Sequence, residues 1–373
     1  MIQQKLAETS SAVDERWMTQ AIALGRRGLG RTAPNPSVGA ILVSPEGYAV
    51  GRGWTDVGGR PHAEVHALAR AGEAARGATL YVTLEPCSHH GRTPPCAHAV
   101  IAAGVARVVS AVGDPDSRVS GRGLAQLMEA GLAVTFGVGA VEARRLTIGH
   151  ITRVTLGRPH VALKLAVSAD GKVGSADRRP VAITGEETRA RVHLMRAEAD
   201  AIMVGIGTVL SDDPALTCRL PGMEDRSPIR IVMDSTLRTP LESCLVRTAS
   251  ETPTWIIGGV DAPDDAERAL RAAGAEVMRV PLENGRPSVS ETLHLLGARG
   301  VTRLMVEGGP TLAAALLNAD LVDAAAIATA PTALGLDAVP AVEGLGLDQA
   351  LSRFALVART QLGADDWAEY ERG

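Results

Sequence analysis

The sequence has few aromatic residues and no excess of positive charge. Aromatic residues make up 2% of its 373 residues, and the formal net charge at pH 7 is −4. Proteins that bind nucleic acid present a basic face, and RNA-binding proteins add aromatic rings on which bases stack. The composition therefore argues against a nucleic-acid partner. Small substrates that carry phosphate stay open, because arginines cluster locally.

Cysteines and long apolar runs are scarce as well. The four cysteines are too widely spaced for the disulfide framework of a small secreted domain, so a reducing compartment such as the cytoplasm is expected. The sequence has no uninterrupted apolar run of about 18 residues, the length needed to span a bilayer. Residues 1–5 lack the apolar stretch of a signal peptide. These features predict a cytoplasmic protein with no membrane partner.

The length and composition predict two α/β domains. A single hydrophobic core rarely serves 373 residues, and 46% apolar residues with 40 glycines suit helices packed closely on sheets. The turn residues Gly157, Arg158 and Pro159 mark the boundary, which gives domains over residues 12–155 and 158–373.

Segments with strand and helix periodicity alternate along both halves. In the first half this predicts a hairpin within residues 38–54 and otherwise a mostly parallel, layered sheet. Its helices are predicted over residues 13–28, 62–71, 97–103, 123–130 and 141–155. The second half is predicted to contain strands over residues 161–167, 201–205, 229–234, 254–258 and 303–306. Its helices are predicted over residues 186–197, 264–273, 288–298 and 311–319.

One histidine and two cysteines are spaced as ligands of a catalytic metal. His62 begins a predicted helix, and Cys87 and Cys96 follow a predicted buried strand. An imidazole and two thiolates give three ligands for tetrahedral Zn²⁺ and leave the fourth position to water, as in catalytic zinc sites. Glu64 stands where zinc-dependent base deaminases keep the carboxylate that moves protons without binding the metal. Residues two apart on a helix point roughly 200° apart, so the metal is expected over the helix end.

Two other interpretations of these residues stay open. A lone histidine is often a hydrogen-bonded core residue, and a cysteine is often a small buried apolar residue. A closed structural zinc site would need a fourth protein ligand. The candidates for that ligand are His66, His89, His90 and His98.

The second half contains a glycine turn between a predicted strand and a predicted helix. Residues 307–311 read Glu-Gly-Gly-Pro-Thr. Backbone N–H groups at such a helix start bind phosphate, and proline suits the first helical position. The dinucleotide fingerprint of the Rossmann fold is absent, because Leu210 occupies the third-glycine position after Gly205 and Gly207.

These residues together make the sequence resemble the bifunctional riboflavin-biosynthesis family, in which a pyrimidine deaminase is joined to a pyrimidine reductase. The deaminase signature covers residues 33–39, 61–67 and 82–96, and the reductase blocks cover residues 164–172, 207–219 and 306–312. The resemblance implies an α/β fold class. The N-terminal domain is expected to be a cytidine-deaminase-like three-layer α/β/α domain, and the C-terminal domain a dihydrofolate-reductase-like α/β domain.

The resemblance also implies roles for individual residues. In the first domain, Zn²⁺ on His62, Cys87 and Cys96 and proton transfer by Glu64 would deaminate a phosphoribosylated diaminopyrimidinone. The implied substrate contacts there are Asn35, His89, Arg92 and Asp114. In the second domain, NADPH would reduce the ribose to a ribityl chain. The implied NADPH contacts are Ala166, Thr208, Asp212, Ser235, Gly309, Pro310 and Thr311. The implied substrate contacts of the reductase are Arg196, Leu216, Arg219 and Glu307. The expected partners are these small molecules and further copies of the chain.

The sequence departs from the family pattern at three positions. Ala182 stands where the family usually has tryptophan, Pro180 where serine is common, and Asp116 where asparagine is usual. Simpler roles also compete with the implied ones. Asn35 would serve as a turn residue, Arg196 as a solvated cation at a helix end, Asp212 as a cap and Arg219 as a surface charge. Competing interpretations of the whole chain are a cytidine or tRNA deaminase with a non-catalytic binding module, and a zinc-stabilised interaction protein.

Overall fold

The computed structural model describes residues 12–90, 94–176 and 181–372. The chain divides into two units between Gly157 and Arg158. Each unit is built on a β-sheet of its own.

The first unit places helices on both sides of a five-stranded sheet. Its strands are β1 (Gly39–Val43), β2 (Ala49–Trp54), β3 (Thr79–Val82), β4 (Arg107–Ser110) and β5 (Ala133–Phe136). Its helices are α1 (Ala12–Arg26), α2 (Ala63–Ala71), α3 (Cys96–Ala102), α4 (Arg122–Glu129) and α5 (Ala140–Leu156).

The strand order in this sheet is β2-β1-β3-β4-β5. Strands β3, β4 and β5 are parallel, whereas β1 is antiparallel to both β2 and β3. The predicted hairpin is present, and β2, β3, β4 and β5 all run in one direction, so the prediction of a mostly parallel sheet holds for every strand except β1. The reason is that β1 lies between β2, to which a tight turn connects it, and β3, which helix α2 returns in the same direction as β2.

Apolar side chains on both faces of the sheet produce the three layers. Leu42 and Leu80 pack with residues of α2, α3 and α4, whereas the neighbouring Ile41 and Tyr81 pack with residues of α1 and α5. Consecutive strand residues point to opposite faces, so strands that are apolar at every position must be covered on both sides.

The close approach of α2 to β2 depends on a glycine. A Cβ atom at Gly53 would lie 2.0 Å from the carbonyl oxygen of Ala63. Only glycine allows the backbones of helix and strand to come this near. The first turn of α2, which follows His62 and contains Glu64, is thereby fixed over the sheet.

The second unit is larger and contains a nine-stranded sheet with two short two-stranded pairs. Its strands are β6 (His160–Val167), β7 (Lys172–Gly174), β8 (Ala201–Gly205), β9 (Ile229–Met233), β10 (Thr254–Gly259), β11 (Glu276–Val280), β12 (Leu282–Glu283), β13 (Arg286–Pro287), β14 (Arg303–Val306), β15 (Ala324–Thr329), β16 (Val339–Pro340), β17 (Phe354–Leu362) and β18 (Asp365–Arg372). Its helices are α6 (Glu186–Glu198), α7 (Ile206–Asp212), α8 (Cys244–Arg247), α9 (Asp264–Ala272), α10 (Val289–Ala298), α11 (Pro310–Asn318) and α12 (Leu347–Leu351).

The strand order of the large sheet is β11-β10-β9-β8-β14-β6-β15-β18-β17. In this order, each strand from β11 across to β15 is parallel to its neighbour. Strand β18 is antiparallel to β15, and β17 is antiparallel to β18. Parallel strands direct their carboxyl ends to one edge of the sheet, which is where open α/β sheets place ligands. No helix in the described ranges is both long and apolar enough to cross a membrane.

Candidate active sites

The side chains of His62, Cys87 and Cys96 meet in the first unit. Their three ligand atoms all lie within 4.8 Å of one another. The Nδ1 atom of His62 is 3.3 Å from the sulfur of Cys96 and 3.7 Å from the sulfur of Cys87. Zinc bonds of ~2.0–2.3 Å in a tetrahedron separate two ligand atoms by ~3.5–3.8 Å. The donor set and its spacing therefore fit Zn²⁺.

Two helix starts bring these ligands together. His62 is the N-cap of α2 and has extended backbone angles, so its ring lies at the helix end. Cys96 is the first residue of α3, and its backbone N–H donates a hydrogen bond of 3.3 Å to the sulfur of Cys87. A helix start favours a thiolate over a thiol. The two helices thus fix the geometry of the cluster and the charge of one ligand.

Hydrogen bonds and burial set the protonation of the cluster. A hydrogen bond from the Cys96 thiol, with smaller contributions from His62, lowers the pKa of Cys87 to about 4 against the opposing effect of burial. The same hydrogen bond and burial raise the pKa of Cys96. Glu64 is 4% exposed, and burial raises the pKa of its carboxyl although the His62 charge opposes the shift. The surroundings thus lower the pKa of the Cys87 thiol and raise that of the Glu64 carboxyl.

A closed structural zinc site is not supported by the neighbouring histidines. In the part of the chain that the structure describes, no fourth histidine, cysteine or carboxylate oxygen joins the cluster. His66 lies 3.3 Å from a carboxylate oxygen of Asp56, and the ring of His90 packs edge-on against that of His98. The cluster therefore keeps the open position that catalysis requires.

Asn35 is a turn residue with one side-chain bond. Its backbone N–H donates to the carbonyl of Thr32, and its Nδ2 donates to the carbonyl of Gly59 at 2.8 Å. Gly59 has a φ of +84°, and a Cβ atom there would lie 2.5 Å from Nδ2 of Asn35. The side-chain oxygen of Asn35 takes no part in this bond. The turn interpretation is therefore correct, and it does not exclude contact with a base.

A buried carboxylate joins the cysteine segment to the loop after β4. Glu85 accepts hydrogen bonds from the backbone N–H groups of Asp114 at 3.3 Å, Gly121 at 2.9 Å and Gly123 at 2.9 Å. Glu85 was not among the predicted site residues. Its position two residues before Cys87, in an otherwise apolar segment, was the available signal.

Residues 113–121 lie beside the segment that carries Cys87. The hydroxyl of Ser88 donates to the carbonyl of Arg118 at 3.1 Å. Asp116 pairs with Arg118, and this hydrogen bond, helped by the nearby His89 charge, lowers the pKa of Asp116 to about 2. The Asp116 carboxylate is thus engaged within its own loop. His89 is half-buried, and Arg92 lies outside the described residues.

The same loop forms one wall of a cavity of about 400 Å³. Asp114, Phe136 and Arg144 line this cavity, but none of the three predicted metal ligands does. The cavity and the ligand cluster are therefore lined by different residues.

The predicted reductase residues gather at the carboxyl ends of neighbouring parallel strands. Ala166 is near the end of β6, Thr208 lies in α7 directly after β8, Ser235 follows β9, and Gly309 follows β14 as the N-cap of α11. A Cβ atom at Gly309 would lie 3.7 Å from the hydroxyl of Thr208, so these two elements adjoin. Pro310 is the first residue of α11, and Thr311 follows it.

Arg196 and Glu307 form a buried bidentate ion pair. The guanidinium donates to the two carboxylate oxygens at 2.7 and 2.8 Å, and the side chains are 12% and 13% exposed. Burial alone would raise the pKa of Glu307, but Arg196, Lys164 and His193 outweigh it and hold that pKa below its usual value. Arg196 is therefore not a solvated cation at a helix end. Lys164, whose pKa burial lowers, was not among the predicted site residues.

The loop before β9 is tied to α6. Arg196 donates to the carbonyl of Thr217 at 3.1 Å, and the backbone N–H of Arg219 donates to Nδ1 of His193 at 3.3 Å. The Leu216 side chain is buried and its φ is +52°. The Arg219 side chain is exposed, as is Asp212 at the last position of α7. Ala182 is exposed ahead of α6, and Pro180 lies outside the described residues.

Comparison with known proteins covers both units. Residues 11–112 match the protein-family model of the cytidine and deoxycytidylate deaminase zinc-binding region. Residues 159–366 match the protein-family model of the RibD C-terminal domain. The riboflavin biosynthesis protein RibD of Escherichia coli is 43% identical over 87% of this chain and 89% of its own length. The same protein of Aquifex aeolicus is 40% identical over 87% of this chain and 88% of its own.

Two solved structures resemble the whole chain. RibD of Acinetobacter baumannii gives a TM-score of 0.85 at 34% identity, covering 97% of this chain and 99% of that protein. A diaminohydroxyphosphoribosylaminopyrimidine deaminase/5-amino-6-(5-phosphoribosylamino)uracil reductase from Thermotoga maritima gives 0.84 at 32% identity with the same coverage. The predicted fold classes of both halves are confirmed, and no finding favours a nucleic-acid-binding module or a non-enzymatic interaction protein. The chain belongs to the RibD family of riboflavin biosynthesis proteins.

Proposed function

We propose that the chain carries out two successive steps of riboflavin biosynthesis. A zinc-dependent deaminase occupies residues 12–155, and an NADPH-dependent reductase occupies residues 158–373. The observation that carries this proposal is the cluster of His62, Cys87 and Cys96 with the buried Glu64 two residues past the histidine.

The first unit hydrolyses the amino group from 2,5-diamino-6-(5-phosphoribosylamino)pyrimidin-4-one. His62, Cys87 and Cys96 would hold Zn²⁺, which would lower the pKa of a bound water molecule toward neutrality. The Glu64 carboxylate would take a proton from the attacking water and pass it to the amino group of the ring, which then leaves as ammonia. Burial supports this role, because it raises the pKa of Glu64 and so makes its carboxyl a better proton acceptor than an exposed one.

Asn35, His89, Arg92 and Asp114 are proposed to contact this substrate. The oxygen of the Asn35 side chain is the acceptor for an N–H of the base, since Nδ2 is committed to Gly59. His89 and Asp114 belong to the two adjoining segments joined by Ser88 and Glu85.

The second unit reduces the deaminated product with NADPH. Bound NADPH would supply the hydride for the carbonyl carbon of the open-chain ribose, and residues of this unit would position the two reactants. Gly309, Pro310 and Thr311 form the start of α11, whose N–H groups are suited to the cofactor phosphate. Ala166, Thr208, Asp212 and Ser235 are proposed to contact the rest of NADPH. Arg196, Leu216, Arg219 and Glu307 are proposed to contact the substrate.

Arg219 tests the substrate side of the reductase. A guanidinium that binds phosphate through two hydrogen bonds cannot be replaced by lysine without loss, whereas a surface cation can. We expect Arg219→Lys to lower kcat/KM for the deaminated substrate by roughly tenfold, with ammonia release unchanged. NADPH oxidation measured against substrate concentration gives the result. The matched control is Arg238→Lys at another exposed position, and an unchanged kcat/KM in Arg219→Lys would remove Arg219 from the phosphate site.

The chain is further proposed to work in the cytoplasm as a homo-oligomer. Leu356 and Val357 support association, because they expose apolar surface on β17 at the edge of the large sheet. Light scattering of the purified protein tests whether the chain forms an oligomer. A monomeric mass at micromolar concentration would contradict the proposed oligomer.

A further inference from the structure

A buried hydrogen bond joins α5 to the loop that carries Asp114. The Nε2 atom of His150 lies 3.0 Å from Oδ1 of Asp114, and the two side chains are 10% and 11% exposed. His150 is in α5, which also packs on the sheet, so one partner of this bond lies in a fixed element. No sequence pattern singled out His150.

The direction of this bond follows from the partners. An ionised carboxylate only accepts hydrogen bonds. The Nε2–H group of His150 is therefore the donor of the hydrogen bond to Asp114. The other ring nitrogen, Nδ1, is buried and has no protein partner among the described residues. Among the described residues, the bond to Asp114 is therefore the one side-chain hydrogen bond that orients the ring.

Two further hydrogen bonds to neighbouring residues hold Asp114 in place. Its N–H donates to Glu85, and its Oδ1 accepts the N–H of Asp116 at 2.9 Å in addition to His150. Both side-chain bonds use Oδ1, so Oδ2 takes part in neither. The carboxylate is thereby fixed in one orientation with one oxygen left for another donor.

This carboxylate lies in the loop that adjoins the cysteine segment. The bond from Ser88 to the Arg118 carbonyl and the bonds from the loop to Glu85 place residues 113–121 against the chain on both sides of Cys87. A side chain in that loop has access to a substrate bound at the cluster only if the loop and its rotamer are held. Asp114 also lines the cavity of about 400 Å³, so the side chain has open space beside it.

We propose that His150 is a positioning residue of the deaminase, which holds the Asp114 carboxylate so that its second oxygen accepts a hydrogen bond from an N–H or O–H of the substrate. This inference rests on the proposed function of the first unit. It differs from a purely structural role, in which the bond would only fasten α5 to the loop. A positioning role affects substrate binding more than turnover, because the zinc ligands and Glu64 are untouched.

His150→Phe and His150→Gln separate the two roles. Phenylalanine keeps a ring and removes the donor, whereas glutamine keeps an N–H donor. We expect His150→Phe to raise the KM for deamination roughly tenfold and to lower kcat less than about threefold, and His150→Gln to stay within about threefold of the wild type in both. Zinc content and NADPH-dependent reduction of the deaminated substrate, measured on the same preparations, should be unchanged. Thr155→Ala on the same helix is the matched control, since its hydroxyl bonds only to the carbonyl of Ile151.

The double variant with Asp114→Asn shows whether His150 acts through Asp114. In the Asp114→Asn background, His150→Phe should add less than about twofold to KM, because the residue it positions is already altered. A full tenfold addition would overturn the inference. So would an unchanged KM in His150→Phe beside a raised KM in Asp114→Asn, which would leave the proposed function intact. A fall in zinc content or in NADPH oxidation together with deamination would assign His150 a structural role only. If the wild type releases no ammonia from its substrate, the proposed function itself fails.

Discussion

Glu64→Gln is expected to abolish ammonia release while leaving the metal site and the reductase intact. The amide has the size of the carboxylate but cannot take up and return a proton, so the loss should be on the order of 10³-fold in kcat. Glu64 is buried beside the ligands without being one of them, so zinc should remain in a one-to-one ratio with the chain. Ammonia assays, metal analysis and NADPH oxidation with the deaminated substrate measure the three properties.

The control for this variant is Glu73→Gln. Glu73 is exposed just beyond α2, so the same chemical change there should leave ammonia release at the wild-type rate. Normal turnover in Glu64→Gln would remove Glu64 from the mechanism. Loss of zinc from that variant would instead assign Glu64 a role in holding the metal.

Glu307→Leu is expected to have the largest effect in the second unit. It leaves the buried Arg196 without its counter-ion, and breaking such a pair costs about 3–5 kcal/mol of the free energy of unfolding. NADPH oxidation should fall by at least about 100-fold, since both side chains are proposed to contact substrate. Urea denaturation and steady-state kinetics measure the two losses.

The double variant Arg196→Met/Glu307→Leu distinguishes stability from activity. Removing both charges leaves no unpaired guanidinium, so the free energy of unfolding should return to within about 1 kcal/mol of the wild type. Lys164 also faces Glu307, and burial lowers its pKa, which reduces the cost of removing the carboxylate. NADPH oxidation by the double variant should remain as low as that of Glu307→Leu. Wild-type oxidation by the double variant would show that the ion pair serves only the fold.

The metal cluster was within reach of sequence reasoning because its ligands are tied to local signals. His62 and Glu64 belong to one helix start, and the cysteines follow a buried strand. Helical geometry predicts that the metal lies over the helix end. His62 is the N-cap of α2, which agrees with that prediction. His150 and Asp114 are 36 residues apart, and no periodicity or motif spacing in the sequence connects them. Their hydrogen bond is therefore visible only in the tertiary structure.

The fold shows the same division between local and distant information. The strand predicted over residues 201–205 and the helix predicted over residues 186–197 match β8 and α6 closely, because their periodicity is regular. Of the strands in the large sheet, β11, β15, β17 and β18 were not predicted. β17 is exposed along most of its length, so it has little of the alternation that marks a half-buried strand. The hairpin pattern predicts that β1 pairs antiparallel with β2, but local patterns do not specify that β1 also pairs with β3.

The most direct test of two successive activities on one chain follows ammonia and NADPH in a single reaction that starts from the diaminopyrimidinone substrate. We predict ammonia release without NADPH and, once NADPH is added, its oxidation in a one-to-one ratio with the ammonia formed. The Glu64→Gln chain should oxidise no NADPH with this substrate but should do so with the deaminated one. Full NADPH oxidation by Glu64→Gln with the starting substrate, or no ammonia from the wild type, would contradict the account.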